Sequence, residues 1–112
     1  MSRSSIGEFE ELVLLAVAAL DSQAYGLPVR DLLKDEIQRT VSLGAVHATL
    51  YRLEDKGLLT SRLGGASGDR GGRRKRLFQI TGDGAAALEA ARVARARLRS
   101  LIPGKPDPGL AT

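Results

Sequence analysis

The spacing of apolar residues changes at Gly57, and this change restricts the fold more than any other feature of the sequence. Before Gly57, apolar residues recur every three or four positions, as they do in amphipathic helices. After it come two short segments that favour β-strands, LLTSRL and RLFQI, separated by the stretch GGASGDRGGRRK (residues 64–75). Because five glycines within residues 64–72 are unfavourable in a helix or strand, this stretch is predicted to contain the loop of a two-stranded hairpin.

Two helices are predicted in the first third of the chain. Residues 8–20 carry acidic side chains in the first turn, where the helix dipole favours them, and then become apolar on two sides. A helix that is apolar all round is buried on two sides, so the second side is expected to face another subunit. Pro28 lies near the start of the second helix, whose inner stripe is predicted to be Val29, Leu32, Leu33 and Ile37.

The third predicted helix, LGAVHATLYRLEDK, follows Ser42, which is a favourable N-cap residue. Gly57 is predicted to end this helix in a left-handed conformation. The residues predicted to point inward are Leu43, Val46, Leu50 and Leu53.

A fourth helix is predicted from Thr81, its cap, to Pro103, which stops it. Small and apolar residues recur in it at steps of four and three, as in a helix that packs against a partner helix. These positions are Ala87, Ala91, Ala94, Leu98 and Leu101. The predicted organisation is a domain over residues 8–81, a dimerisation helix over residues 82–102 and a disordered tail over residues 103–112.

Charge is distributed unevenly along the chain. Residues 1–56 carry 6 Lys/Arg and 9 Asp/Glu, whereas residues 57–112 carry 11 and 4. The second half therefore has a net charge of +7, which is compatible with a solvated basic face and favours a surface that binds a polyanion.

Composition argues against several other functions. The chain has no cysteine and one histidine, so neither a metal site nor a cofactor is expected. The sequence also shows no nucleophile paired with an oriented base, so we do not expect an enzyme. Four aromatic residues are too few for a platform that stacks single-stranded bases. Neither a signal peptide nor a membrane span is recognisable, so the protein is expected to be cytoplasmic, without a membrane partner.

The order of helix, helix, helix, hairpin and helix predicts a fold that is mainly α with a small β-hairpin. This order is typical of a winged helix-turn-helix domain, here with a C-terminal dimerisation helix. In such a domain the third helix enters the major groove of DNA and the hairpin lies along the neighbouring backbone. The basic hairpin is then a wing that binds phosphates, and double-stranded DNA is the predicted partner.

The segments AYGLPV, VSLGAVHATLYRLEDKGLL, GRRKRLFQIT and TGDG resemble the PadR family of bacterial transcriptional regulators, in its short form with one C-terminal helix. The resemblance covers about residues 9–101. It implies a homodimeric repressor that dimerises through its first and last helices and binds a pseudo-palindromic operator. A small-molecule effector is compatible with this family, but a chain without Trp and with alanines on the dimer seam offers no aromatic pocket for one.

The residues predicted to bind DNA lie on the third helix and at the base of the wing. They are Ser42, Gly44, Ala45, His47, Ala48, Thr49, Tyr51, Arg52, Arg73, Arg74, Lys75 and Arg76. The predicted dimer interface consists of Leu14, Leu15, Ala18, Ala87, Ala91, Ala94, Leu98 and Leu101.

Alternatives remain open at this point. Arg52 could pair with Glu54 or Asp55 on its own helix, and the third helix could present an ordinary solvated face. The winged fold could dock a partner protein without binding specific DNA, although such a surface would not need four consecutive cations.

Overall fold

The described part of the chain folds into three helices, a two-stranded antiparallel hairpin and a fourth helix. The computed structural model describes residues 5–64 and 74–104. The elements are α1 (Glu8–Leu20), α2 (Gly26–Ile37), α3 (Leu43–Asp55), β1 (Leu59–Leu63), β2 (Arg76–Ile80) and α4 (Gly82–Ser100), with a short 3-10 turn, Asp21–Gln23, after α1. This is a winged helix-turn-helix unit followed by one more helix, so the predicted fold class is confirmed.

α1 lies at the centre of the core. Val13, Leu14, Ala16 and Val17 are at most 3% exposed, because α1 contacts α2, α3, α4 and β2. At the start of the helix, the Gly7 N–H donates a hydrogen bond to the Glu10 carboxylate at 2.8 Å, which satisfies a main-chain donor at the helix terminus. The apolar character of α1 on several sides is thus explained largely by the core of its own chain.

α3 begins and ends as the sequence predicts. The Ala45 N–H donates to Ser42 Oγ at 3.0 Å, which caps the first turn. After the last turn, Gly57 adopts a left-handed φ of 78°, and the Leu58 N–H reaches back to the Leu53 carbonyl at 3.0 Å. This Schellman arrangement turns the chain directly into β1.

β1 and β2 form the predicted hairpin, with Ser61 opposite Phe78. Phe78 faces the core and is 3% exposed. Its N–H donates to the Ala24 carbonyl at 2.8 Å, which ties the hairpin to the segment between α1 and α2. The central part of the predicted loop, residues 65–73, lies outside the described residues.

α4 starts against the turn that follows α3. Thr81 caps it, as predicted, by accepting from the Gly84 N–H at 3.0 Å, and the Thr81 hydroxyl donates to the Gly57 carbonyl at 2.8 Å. A Cβ at position 84 would come within 2.7 Å of Ile80 and would overlap the Leu58 carbonyl oxygen. Glycine at this position therefore permits the close packing of α4 on the turn.

The second half of α4 extends away from the core. Ala87 is 2% exposed, whereas Leu98 and Leu101 are 67% and 59% exposed. Most of the predicted disordered tail, residues 105–112, lies outside the described residues. Neither α4 nor any other helix within residues 5–64 and 74–104 is long and apolar enough to cross a bilayer.

One position of the predicted inner stripe of α2 is wrong. Ile37 is 47% exposed, because it is the last residue of α2 and the chain turns away at Gln38, which has a left-handed φ of 54°. Leu43, predicted to point inward from α3, is half-buried at the first position of that helix.

Candidate nucleic-acid interface

The outward side of α3 carries most of the predicted DNA-binding residues. Those that are exposed are Ser42, Gly44, Ala45, His47, Ala48, Tyr51 and Arg52. Thr49 is 3% exposed, so the prediction that it faces outward is wrong. Positions 46, 49, 50 and 53 follow the spacing of a single helical face, and the buried stripe includes the threonine despite its hydroxyl group.

His47 and Tyr51 lie one turn apart on α3, and each packs against a neighbouring element. The His47 ring lies against the start of α2, where a Cβ at Gly26 would come within 2.9 Å of the imidazole Cδ2. Tyr51 packs edge-to-face on Phe78 of β2, with ring centroids 5.7 Å apart. Both rings are thus positioned by the fold, although both side chains are exposed.

The base of the hairpin is closed by contacts of Arg74 and Lys75. The Gly64 N–H donates to the Lys75 carbonyl at 2.6 Å, and Arg74 Nε donates to the Gly64 carbonyl at 2.9 Å. Lys75 Nζ lies 5.0 Å from the ring centroid of Tyr25, within the range of a cation–π contact. Both side chains are exposed. Arg73, also predicted to bind DNA, lies outside the described residues.

A chain of hydrogen bonds joins the hairpin to the end of α3. Arg76 Nη1 donates to Ser61 Oγ at 3.0 Å, and Ser61 Oγ donates to Glu54 Oε2 at 2.7 Å. Arg76 is half-buried as a result. These contacts give Arg76 a structural role in holding the hairpin against α3, beside its predicted role at DNA.

The predicted residues of α3 and of the wing meet around one cavity of about 230 Å³. Its lining consists of Tyr25, Gly26, Leu27, Leu43, His47, Tyr51, Arg74, Lys75, Arg76 and Phe78. The helix and the hairpin base therefore form one continuous surface, apolar in its floor and basic along the edge that the hairpin contributes.

The acidic partner of Arg52 is Glu10 of α1, not Glu54 or Asp55. Glu10 is 8% exposed, lies 3.8 Å from Arg52 Nη1 and accepts two hydrogen bonds from Lys56 Nζ, at 2.9 and 3.0 Å. Burial alone would raise the pKa of the Glu10 carboxyl, but the hydrogen bonds and the two nearby cations outweigh burial and lower it below its usual 4.5. Glu10 is therefore a carboxylate at neutral pH.

Two charged residues of this region were not singled out from the sequence. Arg62 is exposed on β1 close to the loop. Neighbouring residues of a strand point to opposite faces, and Ser61 points toward Glu54, so Arg62 points away from α3. This alternation is the signal that could have placed Arg62 on the outer face. Glu10 looks in the sequence like an ordinary first-turn acid. Only the tertiary fold brings it to Lys56, 46 positions away.

The predicted dimer surface is divided between the core and the exterior. Leu14 is fully buried and Ala87 is 2% exposed, and both belong to the core of their own chain. The prediction that these two residues face a partner is therefore wrong, because the core of their own chain covers both. The half-buried or exposed predicted positions are Leu15, Ala18, Ala91, Ala94, Leu98 and Leu101.

A groove of about 470 Å³ lies along the exposed part of α4, beside the start of α1. It is lined by Ser5, Ile6, Glu11, Ala87, Ala90, Ala91, Ala94, Arg95 and Leu98. Arg95 pairs with the Glu11 carboxylate, which fastens α4 to α1 at one edge of the groove. The small residues along α4 leave room for another helix to approach closely.

Comparison with known proteins gives a family match. The profile of the Transcriptional regulator PadR-like family matches residues 14–90, which span α1 to the first half of α4. No curated protein sequence matches the chain significantly.

Several solved structures share the fold. A PadR-like transcription factor from Bacteroides fragilis is 21% identical, with a TM-score of 0.70 over 82% of this chain and 84% of that one. A PadR family regulator from Clostridium difficile is 22% identical, with a TM-score of 0.69 over 85% and 94%. Bacillus subtilis PadR in complex with operator DNA is 19% identical, with a TM-score of 0.62 over 89% of this chain and 50% of that one.

Proposed function

This chain belongs to the PadR-like family of transcriptional regulators, and from that premise we propose that it binds double-stranded DNA in a sequence-specific manner as a homodimeric repressor. α3 is the proposed recognition helix, and the β1–β2 hairpin is the proposed wing. The observation that carries the proposal is the single surface on which exposed residues of α3 meet the basic base of the hairpin. The solved Bacillus subtilis relative, which is described as a complex with operator DNA, supports the same partner.

The shape of α3 fits a major groove. Gly44, Ala45 and Ala48 are exposed and small, so the backbone of the helix can approach the groove floor, and an alanine methyl can contact a thymine methyl. His47 and Arg52 are the longer polar side chains on this face and are the proposed contacts to base edges or to the flanking phosphates.

The wing supplies affinity that does not depend on sequence. The exposed cations Arg74 and Lys75 stand beside α3, where a duplex seated on α3 would pass. Each phosphate they neutralise releases condensed counterions from the DNA. We assign them to the backbone rather than to bases, because their other contacts hold them at the edge of the surface.

The proposed dimer forms through the exposed part of α4 and the outer face of α1. Leu98 and Leu101 are more than half exposed, and Leu15 is 46% exposed, so an isolated subunit would leave a row of apolar side chains in water. A second copy related by a two-fold axis would cover them. It would also place two α3 helices for successive major grooves, about 34 Å apart. Occlusion of a promoter by such a dimer is the proposed mode of repression.

The test combines footprinting with sedimentation. Footprinting on the promoter region of the protein's own gene should reveal a protected pseudo-palindrome, and sedimentation equilibrium should give twice the subunit mass. In a reconstituted transcription assay, the protein should reduce transcript from that promoter. Uniform binding without a protected site, or a stable monomer, would contradict the proposal.

A further inference from the structure

Glu10 brings negative charge to the edge of the proposed DNA-binding surface. It belongs to α1, yet its carboxylate lies beside the last turn of α3, where it bonds to Lys56 and lies 3.8 Å from Arg52. The Glu10 side chain is 10% exposed, whereas those of Arg52 and Lys56 are 53% and 38% exposed. The nearly buried Glu10 carboxylate therefore attracts two cations that could otherwise turn toward solvent or DNA.

The geometry shows which cation Glu10 holds more firmly. Lys56 Nζ contacts both carboxylate oxygens, at 2.9 and 3.0 Å, so two of its three N–H donors are directed at Glu10. Arg52 Nη1 lies 3.8 Å from Glu10 Oε2, beyond hydrogen-bond distance, so its attraction to Glu10 is that of a longer ion pair. Since residues 52 and 56 lie one turn apart, both cations stand at the same edge of α3.

We propose that Glu10 holds Lys56 away from the DNA backbone and thereby keeps the sequence-independent affinity of the recognition surface low. This inference rests on the proposed DNA binding and names a residue of α1 that regulates it. A dimer that binds every duplex tightly would be occupied mostly at nonspecific sites, because these far outnumber operators. An interaction that limits phosphate contacts would therefore favour binding to the operator. Glu10 acts through Lys56 and is a positioning residue.

The test measures binding to a random-sequence duplex as a function of salt. Glu10→Gln keeps an amide oxygen that can accept from the Gly7 N–H and from Lys56, but it removes the charge. If one further phosphate contact forms, the salt slope should steepen by about 0.9, so that affinity falls about threefold more between 50 and 200 mM salt than it does for the parent protein. Glu89→Gln is the matched control, because it removes the same charge from an exposed ion pair on α4.

Two further variants assign the effect to Lys56. In the double variant E10Q/K56Q the slope should return to that of the parent protein. Lys56→Gln alone should have the same salt slope as the parent protein, because Lys56 of the parent protein is bound to Glu10 and not to a phosphate. This measurement does not depend on how well E10Q folds. Circular dichroism on each variant establishes that the fold is retained.

Each contrary result has its own meaning. Equal slopes for E10Q and E89Q, or a weaker affinity of E10Q, would overturn the role of Glu10. A double variant that keeps the full gain would overturn the proposal that Glu10 acts by holding Lys56. A loss of slope in Lys56→Gln would do the same, because it would place Lys56 on a phosphate already. If the parent protein binds no duplex at all, both this inference and the proposed function fail, whereas the four results above leave DNA binding intact.

Discussion

The ring of His47 occupies the space that a Cβ at Gly26 would need. This contact links α3, the proposed recognition helix, to the first turn of α2. Gly26→Ala should therefore push the His47 ring out of its position, with little effect on the backbone because the ring is an exposed side chain that can rotate. We expect the free energy of unfolding to stay within about 1 kcal/mol of the parent value.

Binding to operator DNA should be more sensitive than stability to this change. If the position of His47 matters, Gly26→Ala and His47→Ala should weaken binding to a similar extent, and the double variant should lose no more than either alone. Fluorescence anisotropy measures all three. Additive losses would indicate that Gly26 acts through something other than the histidine.

Lys75→Ala should weaken binding to every duplex alike. Loss of one phosphate contact should flatten the slope of log affinity against log salt by about 0.9. Arg92→Ala is the control, since it removes the same charge from an exposed pair with Glu89 on α4. A slope identical to that of the parent protein would mean that the wing does not reach the backbone at this residue.

Leu98→Glu should convert the proposed dimer into monomers. Leu98 is the most exposed large apolar residue described, and a carboxylate buried against a partner would carry a high desolvation cost. Val93→Glu is the matched control, because Val93 is 50% exposed but lies off the heptad positions of α4. Sedimentation velocity gives the oligomeric state of both variants. A Leu98→Glu variant that remained dimeric would show that α4 does not form the interface.

Gly84→Ala should destabilise the protein by about 1–3 kcal/mol, the range of overpacked sites. Its new methyl group would overlap the main-chain carbonyl of Leu58, which cannot rotate away. Gly82→Ala, in the same helical turn, meets no atom within 4 Å and should stabilise the protein by up to about 1 kcal/mol. Urea unfolding of both variants measures the contrast, and equal effects would show that α4 does not pack on the turn this closely.

The protein should lose stability in acid. The Arg39 hydrogen bond lowers the pKa of Glu8, and Lys56 and Arg52 lower that of Glu10 in spite of its burial. Because both folded-state values lie below 4.5, the folded state binds fewer protons than the unfolded chain as pH falls through this range. The stabilisation is complete above about pH 4.5 and disappears as pH falls through the lower folded-state values. Urea unfolding at several pH values should follow this course less steeply in E10Q, and stability that rises on acidification would contradict it.

The elements of the fold could be predicted because local signals agree with the tertiary structure. Ser42, Gly57 and Thr81 each specify a helix end by their own chemistry, and the structure uses all three as predicted. The order of elements then leaves few architectures open, and the winged helix-turn-helix arrangement is one of them.

The wrong predictions concern residues whose burial depends on contacts with other helices and strands. Leu14 and Ala87 have the spacing of an interface, but each is covered by its own chain. Thr49 looks polar in the sequence and is nevertheless buried on the inner face of α3. Nothing local to Glu10 indicates that it lies beside the last turn of α3, since that contact depends on how α1 crosses α3.

The joint between α3 and α4 has a consequence for the choice of genomic targets. Thr81 bonds to the Gly57 carbonyl, and Gly84 packs on Leu58, so the start of α4 lies directly against the turn that ends α3, although the hairpin separates the two helices in the sequence. In a dimer joined through α4, this contact between α4 and the end of α3 would fix the distance between the two α3 helices without touching a base. In the proposed dimer, that distance would set the number of base pairs between the two halves of a target, and a promoter with a different spacing would not be bound even if each half matched.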